Sequence, residues 1–324
     1  MNRRQYLTRS GAGVGTLALA PLAGCLDDLS RSESTTSAED RTGERELDRA
    51  AGALNQAALS LEIDDGGMDD GEVAFDADEP TGLIADAQAH LETAAAELDD
   101  DRTPDVETLR TYADILEALV VVTEPITDEE LESDADAVFD ATGEDGGLED
   151  ASATVDRWMD ELEAAEARQG GAVSDYEALD GDRFEELARI DPTDLEDGIE
   201  SLGDVLGSLV TLVGGFDSMV EGYEALERGH EHVEDEAYEQ AEAAFSNAKS
   251  AFEAAREAFE GDEDPPARLG DHFDTAHCQS GHLTAAAEAF EEAAVAAGSG
   301  DLLTANQRER DAERSLDSAD ECAE

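Results

Sequence analysis

Lysine occurs once in the 324 residues, at Lys249, and arginine supplies the rest of the 20 basic side chains, against 85 acidic ones. Phosphate binding needs clustered Lys or Arg, so this balance excludes nucleic acid as a partner. Aromatics are scarce too, with one Trp, five Tyr and nine Phe; whatever packs here must pack on alanine and other small side chains. Three cysteines are too few for a disulfide framework. Strand signals are few: Glu72 to Phe75 reads as a short strand inside a long loop over 62–81. No serine-nucleophile elbow, phosphate-binding glycine loop or dinucleotide fingerprint occurs, so no enzyme signature emerges. Carboxylate pairs carry no information in so acidic a chain.

The exception to the acidity is residues 2–24, which hold no acid at all. Arg3, Arg4 and Arg9 form a basic head, Gly11 to Leu22 an apolar run, and Leu22-Ala23-Gly24-Cys25 a small-residue close before a thiol. A helix needs about 20 apolar residues to span a bilayer, so the run has the proportions of a cleaved signal peptide. Asn2-Arg3-Arg4-Gln5-Tyr6-Leu7 resembles the twin-arginine export signal, with Asn where Ser or Thr is usual, and Leu22-Ala23-Gly24-Cys25 resembles a lipobox. The resemblance implies removal of residues 1–24, lipid on Cys25, and a chain anchored on the extracellular face of the cell membrane. Acid excess along the whole length, together with the want of lysine, resembles the proteins of extremely halophilic archaea. Screening length falls from ~10 Å at 0.1 M salt to ~3 Å at 1 M, which quenches self-repulsion that opposes compaction in dilute buffer.

Residues 25–45 read as the lipidated Cys and a flexible polar tether. Beyond them the apolar spacing is helical: Leu47, Ala50, Leu54, Ala57 and Leu61; Ile84, Ala87, Leu91, Ala94 and Leu98; Val106, Leu109, Ala113, Leu116 and Val120 after the Thr103-Pro104 start. Val155, Trp158, Leu162 and Ala165 make a further stripe, closed by Gly170-Gly171. From Asp194 one long stripe runs from Leu195 to Leu226, where Gly214-Gly215 could kink it; Glu196, Glu200, Asp204 and Asp217 argue for a core helix and against a membrane span. The Asp/Gly run 64–72 lacks the ligand spacing of a calcium loop. The expected fold is all-α: a helical bundle or short α-solenoid of antiparallel hairpins. Its N-terminal part covers 46–170 and its C-terminal part 191–324, with a soft boundary at 171–190.

Tyr238, Ala241, Phe245 and Ala248 are spaced at +0, +3, +7 and +10, and Leu283, Ala286, Phe290 and Ala293 repeat the pattern. This set resembles the second helix of a tetratricopeptide repeat, where an aromatic meets a small residue of the preceding helix, and Gly229 falls where that residue belongs. The resemblance implies two hairpins over about 222–297. The interval between the two sets departs from the family's period of about 34 residues, and a plain Ala-rich bundle produces the same stripe.

With Cys25 assigned to lipid, Cys278 and Cys322 remain, and an even remainder in an exported protein points to a disulfide, with a pair of buried free thiols or thiolate metal ligands as the alternatives. His230, His232, His272, His277 and His282 crowd into one region. Imidazoles near carboxylates suit a transition metal, although Glu227-x-x-His230 is only half of a di-iron motif and His272 and His277 lie on different helical faces. The functional expectation is a non-catalytic, lipid-anchored protein–protein interaction module without a cofactor. The alternatives are a metal- or small-ligand-binding lipoprotein built on those histidines, and a structural spacer of the envelope. The charge yields a direct test: dialysis of the purified protein from molar salt to dilute buffer should collapse its helical circular dichroism, and an unchanged spectrum overturns the halophilic reading.

Overall fold

Apolar stripes at helical period become helices wherever the chain is described. The computed structural model describes residues 38–61, 75–127, 147–261 and 265–323, and among them there is no strand. The helices are α1 (Ala38–Ser60), α2 (Asp78–Glu97), α3 (Thr103–Ile126), α4 (Leu148–Ala178), α5 (Gly181–Ala188), α6 (Pro192–Glu234), α7 (Tyr238–Gly261), α8 (Ala267–Gly298) and α9 (Leu302–Asp320), with 3-10 turns at Asp100–Arg102 and Glu321–Ala323. The fold is an all-α helical bundle, and Glu39–Glu324 is one compact unit.

Two hydrophobic cores divide the helices. One gathers α1, α2, most of α3, α5 and the start of α6; Leu54, Leu91, Leu109, Tyr112 and Phe184 are almost wholly buried there. The other gathers the end of α3, the first half of α4, the rest of α6, and α7 to α9. Helices α3, α4 and α6 serve both. At 43 residues α6 is about 65 Å long, and it is the described helix long and apolar enough to cross a membrane. Its apolar side chains, Leu195 and Ile199 in the first core and Leu206 to Leu226 in the second, are instead spent inside the bundle.

The second core rests on glycine. A methyl group placed on Gly215, Gly222 or Gly229 of α6 would sit 2.2, 2.4 and 2.4 Å from the ring Cε1 of Phe259, Phe252 and Phe245 of α7, respectively. The glycines step forward by seven residues while the phenylalanines step back by seven. Each ring thus lies on bare α6 backbone, the two helices running antiparallel. Glycine costs a helix ~1 kcal/mol relative to alanine, whereas burying a Phe contributes ~1.5–3 kcal/mol. All three rings are buried, so the gain exceeds the loss by several kcal/mol. Gln169 of α4 uses the same device at Gly203, where a methyl would lie 2.7 Å from its Nε2; that amide donates to the Ile199 carbonyl at 2.6 Å.

Two hairpin turns close this core alike. After α6 the Ala237 N–H donates to the His232 carbonyl and the Glu236 N–H to that of Val233; after α8, Asp301 and Gly300 donate to Ala296 and Ala297. Both are Schellman closures, which need a left-handed residue. Gly300 takes φ 82° freely, while Glu236 takes φ 57° with a side chain present. In the first core Asp105 accepts from both Arg102 and Arg183, tying α3 to the 3-10 turn before it and to α5. The scarce cations also brace neighbouring helices in the second core: Lys249 meets Glu288 at 3.1 Å and Arg308 meets Glu292 at 2.8 Å.

Several expectations are corrected. The tether over 25–45 is too long, because α1 already begins at Ala38 and Gly43 packs against Leu98. Gly170-Gly171 do not close α4, which continues to Ala178 and buries Ala172. Residues 171–190 are no boundary: Ala172, Phe184 and Ala188 lie in the first core, while Val155 to Ala165 of the same α4 lie in the second. Gly214-Gly215 neither break nor end α6. Helix α8 runs unbroken from Ala267, so Leu283 to Ala293 have no separate first helix before them, and 222–297 holds one hairpin and a long third helix. The calcium-like run 64–72, and Glu72 to Ala74 of the short strand, lie outside the described residues; Phe75 is not in a strand.

The adjacent glycines of α6 should respond oppositely to the same change. Nothing lies within 4 Å of a methyl on Gly214, so Gly214→Ala should stabilise by about 0.5–1 kcal/mol. Gly215→Ala must displace Phe259 and should destabilise by about 1–3 kcal/mol. Urea melts at one fixed high salt concentration read both.

Candidate functional site

The signal and lipid residues Arg3, Arg4, Leu22, Ala23, Gly24 and Cys25 lie outside the described residues. The chemistry that the structure does place is concentrated at the α8–α9 hairpin. Cys278 of α8 is disulfide-bonded to Cys322 in the 3-10 turn that follows α9, with Cα atoms 6.0 Å apart. Closing a loop between residues 44 apart contributes ~4 kcal/mol on the chain-entropy account. Its effect is local, fastening the terminal turn onto α8.

His282 follows Cys278 by one helical turn and shares its face. Its ring nitrogen and the two sulfurs lie within 4.8 Å of one another, and this is the one group of three metal-ligating side chains that close among the described residues. An open depression of about 450 Å³ beside it is lined by Arg256, Glu260, His277 and His282.

The histidines do not converge on a site of their own. His230 stands edge-on to Phe290 and Phe245, with ring centroids at 4.7 and 5.3 Å. The residue is exposed overall, yet desolvation by partial burial lowers its pKa, against the opposing pull of Glu309 and Glu234. His232 and His272 join no group of three metal-ligating side chains among the described residues. The sixth histidine, His90, pairs with Glu46 at 2.7 Å and links α2 to α1. A metal site built from His230, His232, His272, His277 and His282 together is therefore not what the fold assembles.

The aromatic repeat positions do not line a groove either. Phe245 lies on Gly229 and stacks on Phe290 at 5.3 Å. Ala241, Ala248, Leu283 and Ala286 are buried around them, while Tyr238 and Ala293 are half-buried. A second open depression, of about 370 Å³ between α4 and α6, is walled largely by carboxylates, Glu224, Glu227 and Glu231 among them.

What the stripes did not reveal is an apolar tip. Leu303 is 87 % exposed, Leu302 61 % and Val295 49 %, all where α8 turns into α9. The sequence carries a signal for it: residues 293–308 contain one acid, Asp301, which is occupied in capping α9 through the Thr304 N–H. No known protein family, curated protein or solved structure matches the chain.

The His230 environment sets a pH dependence. Its folded pKa lies below the ordinary 6.5, so the neutral ring contributes stability that is present above pH 6.5 and is lost as the pH falls through the folded value. The melting-temperature difference between the wild type and His230→Gln should therefore be larger at pH 8 than at pH 5, at constant salt. A difference that grows on acidification overturns this assignment.

Proposed function

We propose that the chain is a non-catalytic protein–protein interaction module, held by lipid on Cys25 at the extracellular face of a halophile's cell membrane, and that the α8–α9 tip is the part that meets the partner. The observation that carries this reading is the exposure of Leu302, Leu303 and Val295 in a stretch, 293–308, that holds a single acid. At molar salt the charge repulsion of two acidic proteins is short-ranged, and apolar contact decides whether they stay together at ~25 cal/mol per Å² buried. The other exposed large apolar side chains among the described residues, Leu59, Met159, Val173 and Val233, are spread over α1, α4 and α6, whereas the tip brings three together. The N-terminal strip supports the location, and the firmly tied hairpin supports a rigid presenting role for the tip. A partner that fits is a protein with an uncharged apolar helix face or groove of its own.

Intact cells at native salt, treated with a carboxylate-reactive crosslinker, test this. Wild-type chain should join a recurrent protein through peptides near 290–310, and Leu302→Asp with Leu303→Asp should lose that partner while keeping the wild-type melting temperature. Equal capture by the double variant, or no partner in cells whose known envelope complexes do crosslink, overturns the reading.

A further inference from the structure

We propose that Cys278, His282 and Cys322 form a zinc-type metal site when the disulfide is reduced, so that the terminal turn is fastened to α8 either by a sulfur–sulfur bond or by an ion. This inference is independent of the interaction reading.

The geometry carries it. Cys278 and His282, four residues apart on α8, present a thiol and an imidazole from one helical face, and the turn Glu321–Ala323 brings the second thiol to them from another element. All donor atoms lie within 4.8 Å of one another. Zinc at about 2.3 Å from sulfur and about 2.0 Å from nitrogen requires donor separations of about 3.4–3.8 Å. With the bond broken, the two sulfurs part to that distance, and the imidazole has at most about 1.4 Å to close. Two thiolates and an imidazole are a soft donor set that suits zinc or a similar ion and not the hard cations that surface carboxylates take up.

The surroundings favour the chemistry. Arg256 of α7 lines the depression that opens onto Cys278 and His282, and its Cδ lies 3.9 Å from where a side chain on Gly281 would begin. In a chain with 20 Lys and Arg against 85 acids, a cation there is not a matter of course. Glu260, also of α7, lines the same depression. The opening to solvent admits both reductant and ion.

The reaction balances with a dithiol as the reductant class. The dithiol gives two electrons and two protons to the disulfide and becomes a disulfide itself, leaving Cys278 and Cys322 as thiols. A divalent ion then takes both sulfurs as thiolates, releases two protons, and accepts the neutral His282 nitrogen as third ligand, with water completing the set.

The test uses the full purified chain at molar salt with excess magnesium, which occupies the carboxylates. The protein is compared oxidised and after reduction by a water-soluble phosphine, with Co²⁺ and then Zn²⁺ added alone. The reduced protein should bind about one equivalent of cobalt with the intense tetrahedral and thiolate charge-transfer absorption of such sites, and the oxidised protein should show neither. Zinc should restore the melting temperature that reduction lowers. His282→Ala should keep the disulfide and the oxidised melting temperature but lose the tetrahedral cobalt spectrum. Absence of thiolate–cobalt absorption in the reduced wild type overturns the site, and an unchanged spectrum in His282→Ala removes His282 from it.

Discussion

The contact of a phenylalanine ring with bare helical backbone, made three times between α6 and α7, is what the larger core depends on. Interaxial distance between helices follows the side chains at the contact; with no Cβ at Gly215, Gly222 and Gly229, α7 comes close enough to lay its rings on the α6 main chain. The other elements build outward from those rings. Phe290 of α8 stacks on Phe245, Phe273 of α8 meets Phe259 edge-on, and Phe216 links Phe259 to Trp158 of α4. Few aromatics suffice because most of them touch one another across different helices. The abundant alanines of α7 and α8 fill the space between, and α9, whose buried residues are Ala305, Ala312 and Ala319, adds almost no large apolar side chain of its own.

Helix existence was legible from spacing, since Leu47 to Leu61, Ile84 to Leu98, Val106 to Val120 and Leu195 to Leu226 all face a core. Helix ends were less so. Gly170-Gly171 look like a stop, but each costs only ~1 kcal/mol in a helix interior, and Ala172 and Tyr176 beyond them bind α4 into the first core. Helix α5 is short, its signals being the Asp180 cap and the Phe184–Ala188 pair. The ladder itself was only partly read. Gly229 opposite Phe245 follows from the repeat pattern, but the two rungs below it appear only when glycines seven apart on one helix are set against phenylalanines seven apart on the next. The cysteine count anticipated the disulfide, and Cys278 with His282 share a face at four-residue spacing. That Cys322 completes a trio with them is tertiary information, as is the isolation of His230. The apolar tip escaped because two adjacent leucines have no period.

Electrostatics sets a second limit on this bundle. Where helices meet at their polar edges, carboxylates face one another: Asp114 with Asp175, and Asp217 with Asp156. Partial burial first, and these like charges second, raise the pKa of Asp114 and Asp217. Those interfaces gain from mild acid, opposite in sign to His230. Basic residues are too few to neutralise the surface; some pair within one helix, as Arg228 does with Glu224, and others span two elements, as at Arg183–Asp105, Arg308–Glu292 and Lys249–Glu288. The exposed ones, Arg308–Glu292 and Lys249–Glu288, hold ~0–1 kcal/mol each and less at high salt, where they orient helices more than they bind them. Cohesion is left to the ring-on-backbone contacts and alanine packing, which salt does not screen.

A ladder with identical rungs seven residues apart has an alignment problem. Slide α7 by one heptad along α6 and two of its three phenylalanines again meet glycines. The packing alone distinguishes the native alignment from its neighbour by a single rung. What forbids the slipped state is the connection Asp235–Ala237, too short to let α7 start a heptad away. The left-handed Glu236, uncomfortable at φ 57°, is therefore a ruler. It spends ~1–2 kcal/mol of backbone strain to make one of two nearly equivalent structures the only one within reach. A longer or looser loop at that point converts the same sequence of rings and glycines into a chain with two folded forms, or into one whose α7 finds its glycines on another molecule.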